Sequence, residues 1–214
     1  MQGYSRRALL ASAGALSTGA LAGCLGGDGG GSGSERECSG EQRSVEVPPA
    51  GDPESGVTLA VYEDFACPGC GEFSLNVLPG IKTDYVEPGR VAYEHHDLPI
   101  PVDEEWSWRV ANASLAVFED AGAGAYYAFV EEVFQYQGEY SEGTVAGLAA
   151  ELGADEEAVR AAMEEEPFCE RLNESRAEAT ERGVEVTPTV FVNDQQLEAP
   201  GDEELREAID AELA

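Results

Sequence analysis

Val57 to Tyr62 is a run rich in apolar and β-branched residues, bounded by Gly56 and the acidic pair Glu63-Asp64. Apolar positions on both faces predict a strand in the middle of a sheet. A helical pattern follows from Cys67 through Phe73 and Val77 until Pro79-Gly80 disturbs it, and a second piece runs to about Val86. Glu87-Pro88-Gly89 predicts a turn, and Arg90 to Glu94 a second strand, parallel to the first. The next stretch is helical throughout. Trp106, Val110, Ala113 and Val117 share one stripe, and Tyr126, Val130, Val133 and Phe134 a second. Val145, Leu148, Ala149 and Leu152 form a third, Val159 and Met163 a fourth, and all read as core. After Pro167 a helix runs from Phe168 to Arg182. Thr189 to Val192 returns to a strand, Asn193-Asp194 turns, and Asp202 to Leu213 closes the chain as an amphipathic helix. The polar lead-in before Gly56 offers one short strand at Val45 to Val47. The order predicts one α/β domain over residues 45–214, interrupted by a helical insertion at about 102–166.

Cys67-Pro68-Gly69-Cys70 stands between the first strand and the first helix. Two cysteines at this spacing can close and reopen a disulfide. At a helix start, unpaired N–H groups and the helix dipole favour the first thiolate, and Pro68 shapes the first turn. The pattern alone also fits a metal site.

Charge narrows the partners. The 214 residues carry 43 Asp+Glu against 12 Lys+Arg, a net charge of -31, which repels nucleic acid. A hydrophobic content of 43% with clear periodicity argues for a packed core rather than a disordered acidic chain. Lys82 is the only lysine. Dispersed acid with arginine in place of lysine suits a protein dissolved in concentrated salt, where the Debye length falls to about 3 Å.

The first residues read as an address. Arg6-Arg7 precede a mildly apolar stretch to Ala22 that is too short to span a bilayer. The pair resembles a twin-arginine export signal over residues 1–23, and Leu21-Ala22-Gly23-Cys24 resembles a lipobox that leaves Cys24 to carry lipid. Residues 24–44 then form a Gly/Ser/Asp-rich tether to about Ser34 and a polar lead-in. The expected location is the outer face of the cell membrane, held by the lipid on Cys24.

The stretch from Gly56 through Cys67-Pro68-Gly69-Cys70 to Phe73, with Val186-Thr187-Pro188-Thr189 far along the chain, resembles the DsbA family of thiol–disulfide oxidoreductases. The resemblance implies a thioredoxin-like fold, a mixed sheet flanked by helices, with a helical insertion and no cofactor or metal. It implies that Cys67 is the accessible nucleophile, Cys70 its buried partner and Pro188 a cis-proline beside them, with Thr187 facing substrate. Thiolates in such sites have pKa values of roughly 3.5–7.5, a range that includes DsbA itself. Asp64 matches an acid of many relatives; it either relays protons and tunes the thiols or serves as a solvated turn or capping residue. Gly69 replaces the histidine of the best-known members, which implies a less oxidising disulfide. The implied partners are thiols and disulfides of exported proteins and a membrane redox partner for reoxidation. With the salt-adapted composition and the address, the whole suggests a haloarchaeal lipoprotein.

Cys38 and Cys169 are the remaining pair, and an exported protein can bond them. His95-His96 reads as a turn or strand end rather than a metal site, because neighbours on a strand point apart. Asn112 and Asn173 begin glycosylation sequons. The competing function is a non-catalytic module that binds peptide in the cis-proline groove, as a chaperone, or holds metal.

Overall fold

Residues 35–100 and 102–214 are described in the computed structural model of the chain, so the export signal, Cys24 and the tether to Ser34 lie outside the described residues. The apolar run becomes β2 (Thr58–Glu63), the middle strand of a five-stranded sheet in the order β1-β3-β2-β4-β5. β3 (Ala92–Asp97) lies parallel to it, with Thr58 opposite Ala92 and Glu63 opposite Asp97. β4 (Thr189–Val192) is antiparallel on the other side, and β5 (Gln195–Glu198) completes that edge. β1 (Ala50–Gly51) pairs with Tyr93 and Ala92 at the opposite edge.

Three expectations are corrected here. The lead-in strand falls at Ala50–Gly51 and not at Val45–Val47, because Pro48 and Pro49 offer no N–H to a ladder. The second strand runs past the expected Glu94 to Asp97, so both histidines lie at its end, the second of the two places expected for them. Glu63, expected as a boundary residue, belongs to β2 and is fully buried.

The helices pack on both faces. α1 (Pro68–Asn76) and α2 (Leu78–Ile81) meet at the break that Pro79 imposes, and a π-helical turn (Lys82–Val86) follows. The insertion begins with α3 (Trp106–Val133), which joins the first two expected stripes across a break at Gly122, whose φ of 82° suits glycine. α4 (Glu142–Glu151) starts at a Ser141–Thr144 capping box, and α5 (Glu156–Glu165) at Asp155, which accepts from the Ala158 N–H at 2.8 Å. α6 (Cys169–Glu181) and α7 (Asp202–Glu212) complete the set. Leu59, Val61 and Tyr93 pack with α1, α2 and the insertion, whereas Ala60, Tyr62 and Phe191 form a smaller core with Ala179 and Val184. Among the described residues no helix is long and apolar enough to cross a membrane.

The lead-in is pinned to α6. Cys38 is bonded to Cys169, Arg36 pairs both guanidinium arms with Glu166 at 2.6 Å, and Asn173 donates to the Arg36 carbonyl at 2.9 Å. Asn112 is buried and bonded to Trp108 and Phe168, which leaves its sequon out of reach in the folded chain. Lys82 lies over the rings of Tyr93 and Tyr127, 4.5 and 5.5 Å from their centres, and pairs with Glu131. The Cys38–Cys169 bond closes a long loop, so the double variant Cys38→Ser with Cys169→Ser should lose about 2–4 kcal/mol of stability. Denaturant midpoints measure this; equal midpoints would mean that Arg36 and its neighbours hold the segment unaided.

Candidate active site

The backbone turns at the end of β2 and delivers Cys67 to the N-cap of α1. Its carbonyl accepts from the N–H groups of Cys70 and Gly71 at 3.0 and 3.2 Å. One turn inside, Cys70 is fully buried, whereas Cys67 is partly exposed; both are free thiols. The Thr187–Pro188 peptide is cis, and Cys67 Sγ lies 3.4 Å from the Thr187 carbonyl oxygen. Residues 120 positions apart in the chain thus meet at one sulfur.

The electrostatics of the two thiols diverge. A hydrogen bond from the Cys70 thiol is the largest influence holding Cys67 down to about 5; burial opposes it, and the Thr187 hydroxyl with the Cys70 and Gly69 N–H groups adds to it. Cys70 moves the other way, pushed far up by burial, by its bond to Cys67 and by the charge of Glu63. One sulfur is a thiolate at neutral pH; the other keeps its proton.

Asp64 is 1% exposed, which excludes the solvated-turn role. Its carboxylate accepts from the Ala66 N–H, the Ile100 N–H and the Ser107 hydroxyl at 2.7, 2.7 and 2.8 Å. Burial nevertheless pushes its pKa up to about 6, and the nearby Cys67 charge contributes. The carboxylate therefore ties the start of the insertion to the loop that carries Cys67.

The insertion also grips this loop directly. Gln137 donates to the carbonyls of Phe65 and Cys67 at 2.8 and 2.9 Å, and the Tyr140 hydroxyl to Phe65 at 3.0 Å. A Cβ on Gly71 would stand 2.5 Å from Gln137 Oε1, so a larger residue there would push this amide away from its bonds to Phe65 and Cys67. Sequence reading missed Gln137 and Tyr140, since lone polar residues after a helix carry no signal of their partner. His95 and His96 do not converge on the cysteines. His95 is held between Glu63 and Asp97, while His96 faces the opposite side and stacks on Tyr62 with centroids 4.4 Å apart.

The thioredoxin family model matches residues 44–211. The chain belongs to the thioredoxin family. This thioredoxin-family protein is 24% identical over 182 residues to the Bacillus subtilis "Disulfide bond formation protein D", covering 82% of this chain and 81% of that one. Its fold resembles oxidised BdbD from Bacillus subtilis, with a TM-score of 0.71, 22% identity, and coverage of 83% and 99% of the two chains. Chlamydia trachomatis DsbA follows with a TM-score of 0.70, 24% identity and coverage of 77% and 89%. These likenesses establish the thioredoxin-like architecture with its helical insertion.

In this thioredoxin-family site, Gly69 is exposed and has ordinary helical backbone. A Cβ there would meet Pro188 at 3.4 Å and Cys67 Sγ at 3.8 Å, ordinary contacts that admit a larger side chain. Gly69→His should therefore be tolerated and place a cationic donor beside the thiolate. The reduction potential should rise by about 30 mV for each unit that the Cys67 pKa falls. Equilibration with glutathione reads the potential, and an unchanged or lower value would contradict the argument.

Proposed function

We propose that this protein is a thiol–disulfide oxidoreductase of the DsbA type that exchanges disulfides with exported proteins through Cys67 and Cys70. The observation that carries the reading is the asymmetric pair: an accessible thiolate held at about 5 beside a buried, protonated thiol, under a cis-proline loop. A substrate thiolate attacks the Cys67–Cys70 disulfide at Cys67 and forms a mixed disulfide, releasing Cys70. A second substrate thiolate then attacks the substrate sulfur, and Cys67 departs as a thiolate. A low pKa makes Cys67 a good leaving group and favours this oxidising direction. The reduced pair returns its electrons to a membrane redox partner, and the same steps reversed give a reductase or isomerase.

The surface fits extended substrate. Val186, Val102 and Tyr136 are exposed, and each lies within two residues of a group that contacts Cys67 or Asp64: Thr187, Ile100 and Gln137. On so acidic a protein, these apolar side chains give an unfolded segment something to bind. The paired arginines, Cys24 and the acidic composition support export by the twin-arginine route, a lipid anchor and adaptation to high salt, as in a haloarchaeal lipoprotein. Against a metal-holding module, His95 is already spent between two carboxylates and His96 faces away. The decisive experiment is disulfide formation in a reduced, unfolded polypeptide, assayed with the oxidised protein in concentrated salt. Formation that disappears in Cys67→Ser supports the reading; binding of the polypeptide without exchange would favour the chaperone.

A further inference from the structure

Gln137 reaches the active-site loop from the helical insertion, and the exchange chemistry above gives it no part. It closes the short helical turn Phe134–Tyr136, with its N–H on the Phe134 carbonyl at 3.1 Å. Phe134 is buried and its ring centre lies 5.3 Å from that of Phe65, which fixes the turn against the loop. The side chain then directs Nε2 at two carbonyls, those of Phe65 at 2.8 Å and Cys67 at 2.9 Å. Carbonyls accept and cannot donate, so this place calls for a double donor. The Cys67 carbonyl also accepts from the N–H groups of Cys70 and Gly71, the first hydrogen bonds of α1. As N-cap, Cys67 makes no side-chain bond to that helix, and Gln137 holds its peptide from outside. On the other side Cys67 Sγ faces the Thr187 carbonyl at 3.4 Å, a contact that suits a thiol and repels a thiolate. The thiolate therefore depends on staying turned toward the Cys70 thiol and the Gly69 and Cys70 N–H groups. The titratable groups facing Cys67 are Cys70 on α1 and Asp64 just after β2, and Tyr140 of the insertion faces those two.

We propose that Gln137 is a positioning residue: by fixing the Cys67 carbonyl to the insertion, it sets the reactivity of the nucleophile. The inference rests on the exchange reading of Cys67. With its carbonyl held, the Cys67 peptide cannot rotate, and the N–H groups of the first turn stay aimed at the sulfur through each change between disulfide and thiolate. Without the two donors this uncapped residue can turn. Its thiolate then loses part of the N–H shell, and the thiol becomes less acidic. A less acidic thiol is scarcer as thiolate in acid but a stronger nucleophile once ionised. Simple loosening of the loop does something different, since it exposes Cys67 at every pH alike. A carboxylate in place of the amide would set lone pairs against both carbonyls and negative charge beside the thiolate.

Gln137→Met keeps a side chain of similar length and removes both donors, and Gln137→Glu keeps the shape and reverses the polarity. Reduced protein in concentrated salt is mixed rapidly with excess dithiodipyridine at a series of pH values. The first phase, attack by Cys67, is compared with the parent at each pH. A rise of about one unit in the Cys67 pKa makes thiolate about tenfold scarcer in acid and about threefold more nucleophilic. The methionine variant should therefore react about threefold slower at about pH 4 and about threefold faster at about pH 8, so that the profiles cross. The glutamate variant should cross in the same sense, and it decides the question if the methionine variant fails to fold. Tyr140→Phe removes one donor from Phe65 but leaves the Cys67 carbonyl held, and should shift the profile less than half as far. Superimposed or parallel profiles overturn the positioning role, as does an equal shift in Tyr140→Phe. A parent thiol that titrates at about 8.5 would instead overturn the exchange reading.

Discussion

Replacing His95 with leucine should destabilise the oxidised protein by about 3–5 kcal/mol at neutral pH, because removal of one partner strands the others in a buried cluster. His95 is enclosed between the carboxylates of Glu63 and Asp97, and Ser114 and Tyr126 complete the shell at 2.8 and 3.5 Å from Asp97. Leucine fills much of the volume but leaves two buried carboxylates without the imidazole that stood between them. They should then take up a proton, so that acid stabilises the variant. In the parent acid stabilises as well, but over a higher range. The folded pKa of His95 lies near 9, above its unfolded value of about 6.5. Its contribution is complete below pH 6.5 and disappears as pH rises through 9, a loss of about 3 kcal/mol.

The redox state matters for this measurement. In the reduced protein, Cys67 has a folded pKa of about 5, below its unfolded value, and adds stability as pH rises over a range that overlaps the histidine's. The oxidised protein lacks that thiolate and shows the histidine alone. Asp64 titrates near 6 and acts at lower pH. Denaturant unfolding of the oxidised parent and variant at several pH values, in concentrated salt, reads the difference. Parallel pH profiles would show that His95 carries no charge in the fold.

Cys70→Ser and Cys70→Ala should both abolish turnover yet differ in the chemistry left at Cys67. Either variant lets Cys67 attack a substrate disulfide, and neither can close on it, so mixed disulfides should accumulate while exchange falls to the uncatalysed rate. Serine keeps a hydroxyl where the thiol donated to Cys67, and that donation is the largest influence on the Cys67 pKa. Alanine removes it. The serine variant should hold the thiolate close to its present acidity, and the alanine variant should move up by about two units or more toward the ordinary value near 8.5. Thiolate absorbance in the ultraviolet follows each titration, and non-reducing gels follow the trapped species. Equal pKa values in the two variants would assign the low value to the helix N-terminus instead.

Much of the domain was legible because its chemistry is local. The strand before Cys67, the helix after it and the break at Pro79 each follow from a short apolar period or a missing N–H. The polar cluster was not legible for the opposite reason. Glu63-Asp64 reads as a strand boundary, because acids normally face water. Their partners, His95 for Glu63 and Ser107 for Asp64, stand far along the chain, and pairing at that distance leaves no periodic trace. β5 was missed because only Leu197 in Gln195–Glu198 is buried, so an edge strand looked like a polar loop. The split of the first two helical stripes was legible, and it falls at Gly122, where the backbone leaves the helical region.

Lys82 has a practical consequence. The ε-amino group of the only lysine is wedged over two tyrosine rings and paired with Glu131, with its side chain 12% exposed. Lysine-directed coupling to a bead or a dye should therefore be slow while the fold is intact. It should quicken whenever α3 parts from the π-helical turn. A single acylation site on one side chain thus becomes a clock for that opening, read by mass without introducing any probe.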